Sequence, residues 1–375
     1  MPIQYERLSK VIAKSLAISE TELKTGFRLA TKAEIPAVSQ MRQQVFTDAI
    51  KADDPAYLEW RYFARSGFPS TLWVFELNGV VIAAMGTEPV TIDKQGEKIS
   101  AIRNMDAIVH PDYDNRGLGA WMVLSLQQTY DCVLVSGGNQ NSTSMLKKMF
   151  TALPVRKNYK LLFKSNAFLA EKMPRPLAAL LSPFVNFGLD IFLLTKWSPL
   201  EGIKGITIKD FSSVEAFLKE LNDHPNVLGN IGVVRDKAYL EWRYQQNPRT
   251  QFSISAAYKA GEIIAFVIYS FHKKNETESY SRGRLVDWCV YDKTNATALL
   301  ACLFKQASWE LKKLGAEQVF LVLNEAVSAT AAQQVGFSLR NVDSRFFVFH
   351  KHLAEHDALF SAKHWFQSMS DSDGV

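Results

Sequence analysis

The chain has 375 residues, which is more than one hydrophobic core usually holds and therefore predicts two or three domains. Hydrophobic residues make up 47% and charged residues 22% of the chain, which is typical of a globular protein and excludes a disordered or fibrous one. The net charge of +5 comes from scattered lysines and arginines, which argues against nucleic-acid binding and is compatible with an anionic ligand.

Cysteines and the N-terminus indicate the compartment. Cys132, Cys289 and Cys302 are too few and too dispersed for a disulfide framework. No cluster of cysteine and histidine has the spacing of metal ligands, so we expect no metal site. Residues 1–25 predict a helical extension in which charges interrupt every short apolar run, unlike a secretory signal. These features predict a cytoplasmic protein.

The next segments alternate between strand and helix patterns. Residues 26–46 read as a strand and then a helix, and residues 57–62 belong to a further helix. Leu72–Leu77 and Val80–Ala84 are apolar runs separated by Asn78-Gly79, which is a strong signal for a β-hairpin.

The most informative segment is Ile108–Ala120, which reads as a strand end, a glycine turn and a helix start. Unpaired amides in the first turn of the helix after Gly117 and Gly119 would point back at the strand end, where a pyrophosphate fits. A dinucleotide fingerprint would need a third glycine where Met122 stands, and the Gly-Lys-Ser/Thr of a P-loop occurs nowhere in the chain. An ordinary glycine-containing turn is the alternative.

Val109–Gly119 resembles the acyl-CoA loop of the GNAT superfamily of N-acetyltransferases, in which a Val-x-Pro-x-Tyr segment leads into a Gly-x-Gly turn. Asp114 stands where that family has a basic or amide residue, and Arg116 follows two places later. The resemblance implies an α/β fold with a mixed sheet, and acetyl-CoA as the cofactor.

The resemblance also implies which groups would hold acetyl-CoA. In the family, the thioester and pantetheine contact the backbone of the fourth strand where it splays from the fifth. The loop amides hold the pyrophosphate, and residues after the fifth strand line the pantetheine arm. Carried onto this sequence, the positions are Ala107, Ile108, Val109, Asn115, Arg116, Gly117, Leu118, Gly119, Ala120, Asn141 and Ser144.

A repeated hexapeptide indicates two copies of one fold. Tyr57–Tyr62 recurs without change as Tyr239–Tyr244. Asp106 and Asp287 each stand three residues after an arginine and three before a valine. Strand and helix patterns follow the same order in both halves, which is also the order of the GNAT fold. We therefore predict two tandem GNAT-like domains.

The second copy lacks the glycine loop, because Tyr291–Ala298 takes the equivalent place without any glycine. We predict a first domain with the acyl-CoA loop at 26–165, a helical linker at 166–200 and a degenerate second domain at 201–352. The His-, Ser- and Asp-rich residues 353–375 are expected to form a frayed tail.

The linker contains the strongly apolar stretch Pro176–Leu194, which Pro183, Gly188 and Asp190 interrupt. We expect a helix packed across both domains and no integral membrane span. Contact with a membrane surface is the alternative.

Acyl transfer to an amine needs a base, a donor to the developing oxyanion and a proton for the departing thiolate. Asp106, Glu88 and His110 are the nearest candidates for the base, and Asp106 is best placed. Its twin Asp287 favours a structural role for the pair. The family's usual acid is a tyrosine in the helix after the fifth strand, which this helix lacks, so Tyr159 or water remains as the acid.

These features favour an N-acetyltransferase that moves an acetyl group from acetyl-CoA to a primary amine of a small molecule, amino sugar or peptide. A FemX-like aminoacyl transferase also stacks two GNAT domains, but it would not need an intact glycine loop. A non-catalytic acyl-CoA-binding sensor is the other alternative. The sequence leaves the acceptor, the acyl chain length and the oligomeric state open.

Overall fold

The computed structural model describes residues 2–45, 54–138, 140–153, 156–198, 203–222, 224–275, 279–343 and 345–372. It divides into two compact units, each built from three stretches of the chain. The first unit comprises Met1–Leu153, Gln246–Arg249 and Arg345–Ser361. The second comprises Pro154–Gln245, Thr250–Ser344 and Ala362–Val375.

The elements up to residue 153 are, in chain order, α1 (Pro2–Leu16), α2 (Glu20–Gly26), β1 (Phe27–Leu29), α3 (Ile35–Val45), α4 (Pro55–Phe63), β2 (Leu72–Leu77), β3 (Val80–Lys94), β4 (Glu97–Val109), α5 (Leu118–Thr129), β5 (Cys132–Ser136), α6 (Gln140–Met149) and β6 (Thr151–Leu153). The elements that follow are β7 (Arg156–Leu162), α7 (Asn166–Lys172), α8 (Arg175–Trp197), β8 (Ile206–Phe211), α9 (Val214–Glu220), β9 (Ile231–Val233), α10 (Lys237–Leu240), β10 (Phe252–Lys259), β11 (Glu262–His272), β12 (Arg282–Val290), α11 (Ala296–Lys313), β13 (Gln318–Leu323), α12 (Ala326–Val335), β14 (Ser338–Asp343) and β15 (Phe346–His350).

Local sequence signals set several of these boundaries. Ser19 and Glu22 form a capping box, in which each side chain accepts from the other residue's backbone amide, so α2 begins there. Asp54 caps α4 in front of Pro55, a residue that favours the first position of a helix. Asn78 and Gly79 both have positive φ, at 51° and 79°, as the tight turn between β2 and β3 requires, and the predicted hairpin is confirmed.

The sheet of the first unit runs in the order β1-β2-β3-β4-β5-β15-β6. Its neighbouring strands are antiparallel except β4 and β5, which are parallel. The sheet of the second unit runs β8-β10-β11-β12-β13-β7-β14, with β12 and β13 as its parallel pair. Both sheets are mixed, which confirms the predicted α/β class, and the second repeats the strand order of the first.

Each sheet takes one strand from a distant part of the chain. In the first unit, β15 lies between β5 and β6. In the second unit, β7 lies between β13 and β14. The domain ranges expected from sequence, 26–165 and 201–352, therefore do not coincide with the compact units. The apolar pattern of a strand predicts that it is buried, but not which sheet it joins.

Helix α8 is continuous from Arg175 to Trp197 although Pro183 lies inside it. It packs on α12 of the second unit through a narrow stripe, and most of its large apolar side chains are exposed. The helix expected over this apolar stretch is therefore present. Among the described residues, α8 is the one helix whose length and composition would suffice to cross a membrane.

The C-terminal segment, residues 362–372, is an ordered part of the second unit. Its serines and aspartates are turned inward, and Ser368, Ser370 and Asp371 are buried. They bond to the guanidinium groups of Arg235 and Arg243, which are buried as well. The expectation of a frayed tail is thereby corrected, because polar residues that satisfy buried cations are not solvated ones.

Candidate functional site

A bulge in β4 shapes the candidate site. Met105 pairs with Gly86 and Ile108 pairs with Ala84, so Asp106 and Ala107 together stand opposite one residue of β3. Asp106 has a positive φ of 51°, which is unfavourable for a residue with a side chain. The bulge therefore needs outside contacts to hold it.

Beyond the bulge, β4 and β5 separate. Their parallel pairing covers Ile102–Asn104 and Val133–Val135 and then ends. Past this point Val109 and Ile108 pair with β3 on one side only, and Ala107 is exposed. A strand edge with free backbone groups is therefore open beside the loop that follows β4.

The loop turns back into α5 through two residues with positive φ, Asn115 at 61° and Gly117 at 82°. Gly117 is the N-cap of α5. Within the described part of the chain, no hydrogen bond is donated by the backbone amides of residues 116–120. These amides can therefore bond to a ligand or to solvent. A row of such amides at a helix N-terminus is a site for an anion.

Two charged side chains flank these amides. Asp114 accepts a 2.8 Å hydrogen bond from the backbone amide of Asn115, so this amide is already used. Arg116 donates to the Asp112 carbonyl at 2.9 Å and lies over the Tyr113 ring, 5.1 Å from its centroid. Arg116 thus stabilises the turn while its charge stays beside the amide row.

The N-terminal helix α1 braces the start of α5, which sequence reasoning missed. A side chain at Gly117 would lie 3.5 Å from Leu8, so the helix comes close to the turn. The Trp121 indole donates to Ser9 Oγ at 2.8 Å and stacks on Tyr5. The spacing of Leu8, Ile12 and Leu16 in the sequence could have revealed this apolar face.

The side chain of Asp106 contacts a tyrosine and an arginine. The Tyr62 hydroxyl donates to its carboxylate at 2.6 Å, and the Arg42 guanidinium lies 3.5 Å from the same oxygen. Burial and the Asp106 charge raise the pKa of Tyr62 well above its usual value, so the phenol remains a donor. The partner that a carboxylate in an apolar strand requires thus comes from α3 and α4.

The other two candidate bases, Glu88 and His110, also have partners within the first unit. Glu88 is buried between Arg61 and Arg103, at 3.3 Å and 3.2 Å, and links α4 to β3 and β4. His110 Nδ1 accepts from the backbone amide of Asp112 and caps the short turn Pro111–Tyr113.

Solved structures with the same architecture decide the fold. A GCN5-related N-acetyltransferase from Anabaena variabilis ATCC 29413 superposes with a TM-score of 0.55 at 9% sequence identity, over 86% of this chain and 71% of that one. For N-myristoyltransferase from Saccharomyces cerevisiae with bound myristoyl-CoA, the TM-score is 0.57 at 9% identity, over 86% of this chain and 82% of that one. The chain has a GNAT fold. A protein of unknown function from Enterococcus faecalis V583, described as a probable N-acyltransferase, gives a TM-score of 0.53 at 10% identity, over 86% and 71% of the two chains.

The GNAT fold is shared without detectable likeness in sequence. No protein-family model matches the chain, and no curated protein matches it. At 9–10% identity these solved structures establish the fold alone.

Three further predicted site residues lie in β7 and α6. Tyr159 lies in β7, and its side chain belongs to the hydrophobic core of the second unit. Burial raises the pKa of Tyr159. Ser144 is exposed on α6. Asn141 begins the same helix, and its side chain lies outside the described residues.

In the second unit, Asp287 repeats the environment of Asp106. The Tyr244 hydroxyl donates to its carboxylate at 2.8 Å, and the Arg235 guanidinium lies 3.2 Å away. Asp287 is completely buried, and Ser368 of the C-terminal segment donates to it at 2.7 Å. Two halves of the GNAT fold thus use one tyrosine-aspartate-arginine arrangement.

Strands β12 and β13 of the second unit also separate, and the C-terminal segment fills the split between them. Pairing of β12 and β13 ends at Leu285 and Leu321. Beyond it, Asn324 bonds to the backbone of Trp365 and Gln367. Trp288 packs edge-on against Phe366.

The split between β4 and β5 is open to solvent, whereas the split between β12 and β13 is covered. Ala107 is exposed in the first unit, whereas Trp288, which follows Asp287 as Ala107 follows Asp106, is 0% exposed. The second unit therefore has no open strand edge at this place, and its turn before α11 has no glycine.

No group of three or more metal-ligating side chains is found in the described ranges.

Proposed function

We propose that the chain is an N-acetyltransferase that transfers the acetyl group of acetyl-CoA to a primary amine of a small molecule, amino sugar or peptide. The observation that carries the proposal is the row of amides at residues 116–120 beside the open edge of β4. An anion site next to free backbone groups of β4 matches a molecule with a pyrophosphate at one end and amides along its arm.

The residues present fit such a molecule. The amide row and the positive end of the α5 dipole would hold the pyrophosphate. Gly117 has a φ of 82°, so a larger residue would be strained there, and a side chain at Gly119 would lie 3.7 Å from Val109. Backbone groups of Ala107, Ile108 and Val109 would bind the pantetheine arm. When bound, acetyl-CoA supplies an activated thioester carbonyl.

Asp106 is the carboxylate next to this edge. The hydrogen bond from Tyr62 and the ion pair with Arg42 hold its carboxylate while the backbone has an unfavourable φ, which supports a role in maintaining the bulge. The ammonium form of the acceptor would then lose its proton to water, and the neutral amine would attack the thioester carbonyl. The competing role, in which Asp106 itself is the general base, predicts a different outcome for one substitution, described in the Discussion.

We further propose that the second unit is a degenerate copy of the first and binds no acyl-CoA. Its turn Tyr291–Ala298 lacks glycine, and the C-terminal segment fills its strand split. One acetyl-CoA per chain follows from these two features.

A non-catalytic acyl-CoA-binding sensor is the second candidate. The observation in its favour is that no tyrosine occurs among Ser142–Met149 of α6, and that Tyr159 belongs to another core. Such a protein would bind the ligand without releasing the thiol.

Thiol release from acetyl-CoA distinguishes the two candidates. The panel of acceptors contains small primary amines, amino sugars and peptides with a free N-terminus. Myristoyl-CoA is the second donor, because N-myristoyltransferase shares the fold. Amine-dependent thiol release supports the transferase, and saturable binding without release for any acceptor supports the sensor.

A further inference from the structure

Helix α8 has an unusual distribution of polar and apolar side chains. The stripe that faces the second unit contains Ser182, whose hydroxyl bonds to the Ala178 carbonyl at 2.6 Å. It also contains Asn186, which accepts hydrogen bonds from the backbone and hydroxyl of Ser165 at 2.7 Å and 2.8 Å. Polar groups of this helix therefore point toward the protein.

The opposite side of α8 is apolar and exposed. Phe184 is 74% and Phe187 is 68% exposed, which is far from the usual burial of a phenylalanine. The exposed large apolar residues of the helix are Leu177, Leu180, Leu181, Phe184, Val185, Phe187, Ile191, Phe192 and Leu194. At about 100° per residue, they cover roughly half of the helix circumference. A patch of this size marks an interaction surface.

We propose that α8 lies on the surface of an anionic phospholipid bilayer, with its exposed side in the acyl-chain region. The first argument is the width of the apolar arc, since a helix packed on one protein surface needs an arc of only about 100°. A bilayer covers a half-cylinder, and it needs no polar rim. No charged residue interrupts the helix between Arg175 and Asp190.

Charges at the two ends of the apolar run provide the second argument. Lys172 at the end of α7 and Arg175 at the beginning of α8 are exposed, and Lys196 is exposed near the end of α8. The Lys196 ammonium lies over the Phe192 ring, 6.0 Å from its centroid, and Lys160 lies 5.0 Å from the centre of Phe168 in α7. Cations beside aromatic rings at the border of an apolar surface match anionic headgroups.

The contacts of the inner stripe favour a helix along the membrane over one across it. The Trp197 indole donates to the Val335 carbonyl at 3.0 Å, and Lys305 donates to the Trp197 carbonyl at 2.7 Å. Lys312 pairs with Asp190 at 2.8 Å. A helix that crosses the bilayer would lose these hydrogen bonds and this ion pair, whereas a helix lying on the membrane surface keeps all of them.

Flotation of the full chain with vesicles tests the proposal. Vesicles of phosphatidylcholine with about 30% phosphatidylglycerol are compared with vesicles of phosphatidylcholine alone. We expect the protein to float with the anionic vesicles and at least tenfold less with the neutral ones. The double variant F184S/F187S should bind anionic vesicles at least tenfold more weakly.

The matched control is L339S/V342S, which changes two side chains of β14 that are 50% and 57% exposed. It should bind as the unchanged chain does, and circular dichroism checks that both variants are folded. Equal flotation of F184S/F187S and the unchanged chain would overturn the proposal, as would no flotation of the unchanged chain.

Two other results would also overturn it. A dimer in vesicle-free solution that F184S/F187S converts to a monomer would mean that a second copy covers the helix. Resistance of the bound protein to extraction at alkaline pH would mean that α8 crosses the bilayer.

Discussion

The Tyr62 hydroxyl lies 2.6 Å from the Asp106 carboxylate, and the Tyr244 hydroxyl lies 2.8 Å from that of Asp287. The two tyrosines are the last residues of the repeated hexapeptide. The two repeated features of the sequence, the hexapeptide and the strand aspartate, are therefore bonded to each other in each unit. This bond explains why both persist in the unit without a glycine loop.

Substitution of Asp106 or Asp287 by asparagine tests whether the pair is structural. We expect each variant to lose about 1–3 kcal/mol of unfolding free energy, because both weaken a charge-assisted hydrogen bond, which is partly buried at Asp106 and buried at Asp287. Urea unfolding measures this loss. Asp106→Asn should keep its affinity for acetyl-CoA and most of its turnover.

The alternative gives a different pattern for the same two variants. If Asp106 is the general base, its substitution alone lowers turnover about a hundredfold or more, and the rate no longer falls at acid pH. Asp287→Asn would leave the rate unchanged. That pattern would contradict the structural role assigned to Asp106.

A bulky side chain in the glycine loop should abolish cofactor binding. Gly119→Trp places an indole where the phosphates are proposed to lie, and we expect at least a hundredfold loss of acetyl-CoA affinity with little change in melting temperature. Thr297→Trp is the matched control, because Thr297 stands two residues after the N-cap of α11 as Gly119 does in α5. Unchanged affinity in Gly119→Trp would mean that the loop is only a turn.

The negative charge of Asp114 in the glycine loop should weaken cofactor binding in the unchanged chain. Asp114→Asn keeps an acceptor for the Asn115 amide but removes a negative charge beside the phosphates, so we expect affinity to rise about twofold to fivefold. The gain should shrink at high salt. Asp292→Asn is the control, because Asp292 accepts from Thr294 in the equivalent turn. A fall in affinity for Asp114→Asn would show that the carboxylate helps binding.

The C-terminal segment should stabilise the second unit. Asp371 accepts a 2.7 Å bond from Arg235, which is buried, so Asp371→Asn leaves part of a buried cation unpaired. We expect a loss of about 1–3 kcal/mol in urea unfolding. Asp357→Asn, which weakens a partly exposed pair with Lys94, should cost less than about 1 kcal/mol. Equal losses of unfolding free energy in the two variants would contradict the stabilising role of the buried Asp371 carboxylate.

The local parts of the fold and site were predictable because their signals are local. The Asn78-Gly79 hairpin, the turn at Gly117 and the helix that follows it depend on φ preferences and apolar spacing within a few residues. The repeated hexapeptide also predicted two similar sheets, since a duplicated sequence indicates a duplicated fold. Locally the two copies differ, because the first lies in an α-helix and the second continues from Glu241 to Gln245 as a π-helix.

Long-range parts of the structure were not predictable from those signals. The pattern of Arg156–Leu162 fits a buried strand in either sheet, so its place in the second unit was missed, and with it the position of Tyr159. Residues 362–372 look solvated by composition, yet their side chains satisfy Arg235 and Arg243. Pairing between distant residues decides such cases, and composition does not report it.

Calorimetric titration of the full chain with acetyl-CoA tests the central claim most directly, namely that the open split of the first unit holds the cofactor and the filled split of the second does not. The account predicts saturable binding with one site per chain, which Gly119→Trp eliminates. Two equivalent sites per chain, or no binding at all, would contradict it.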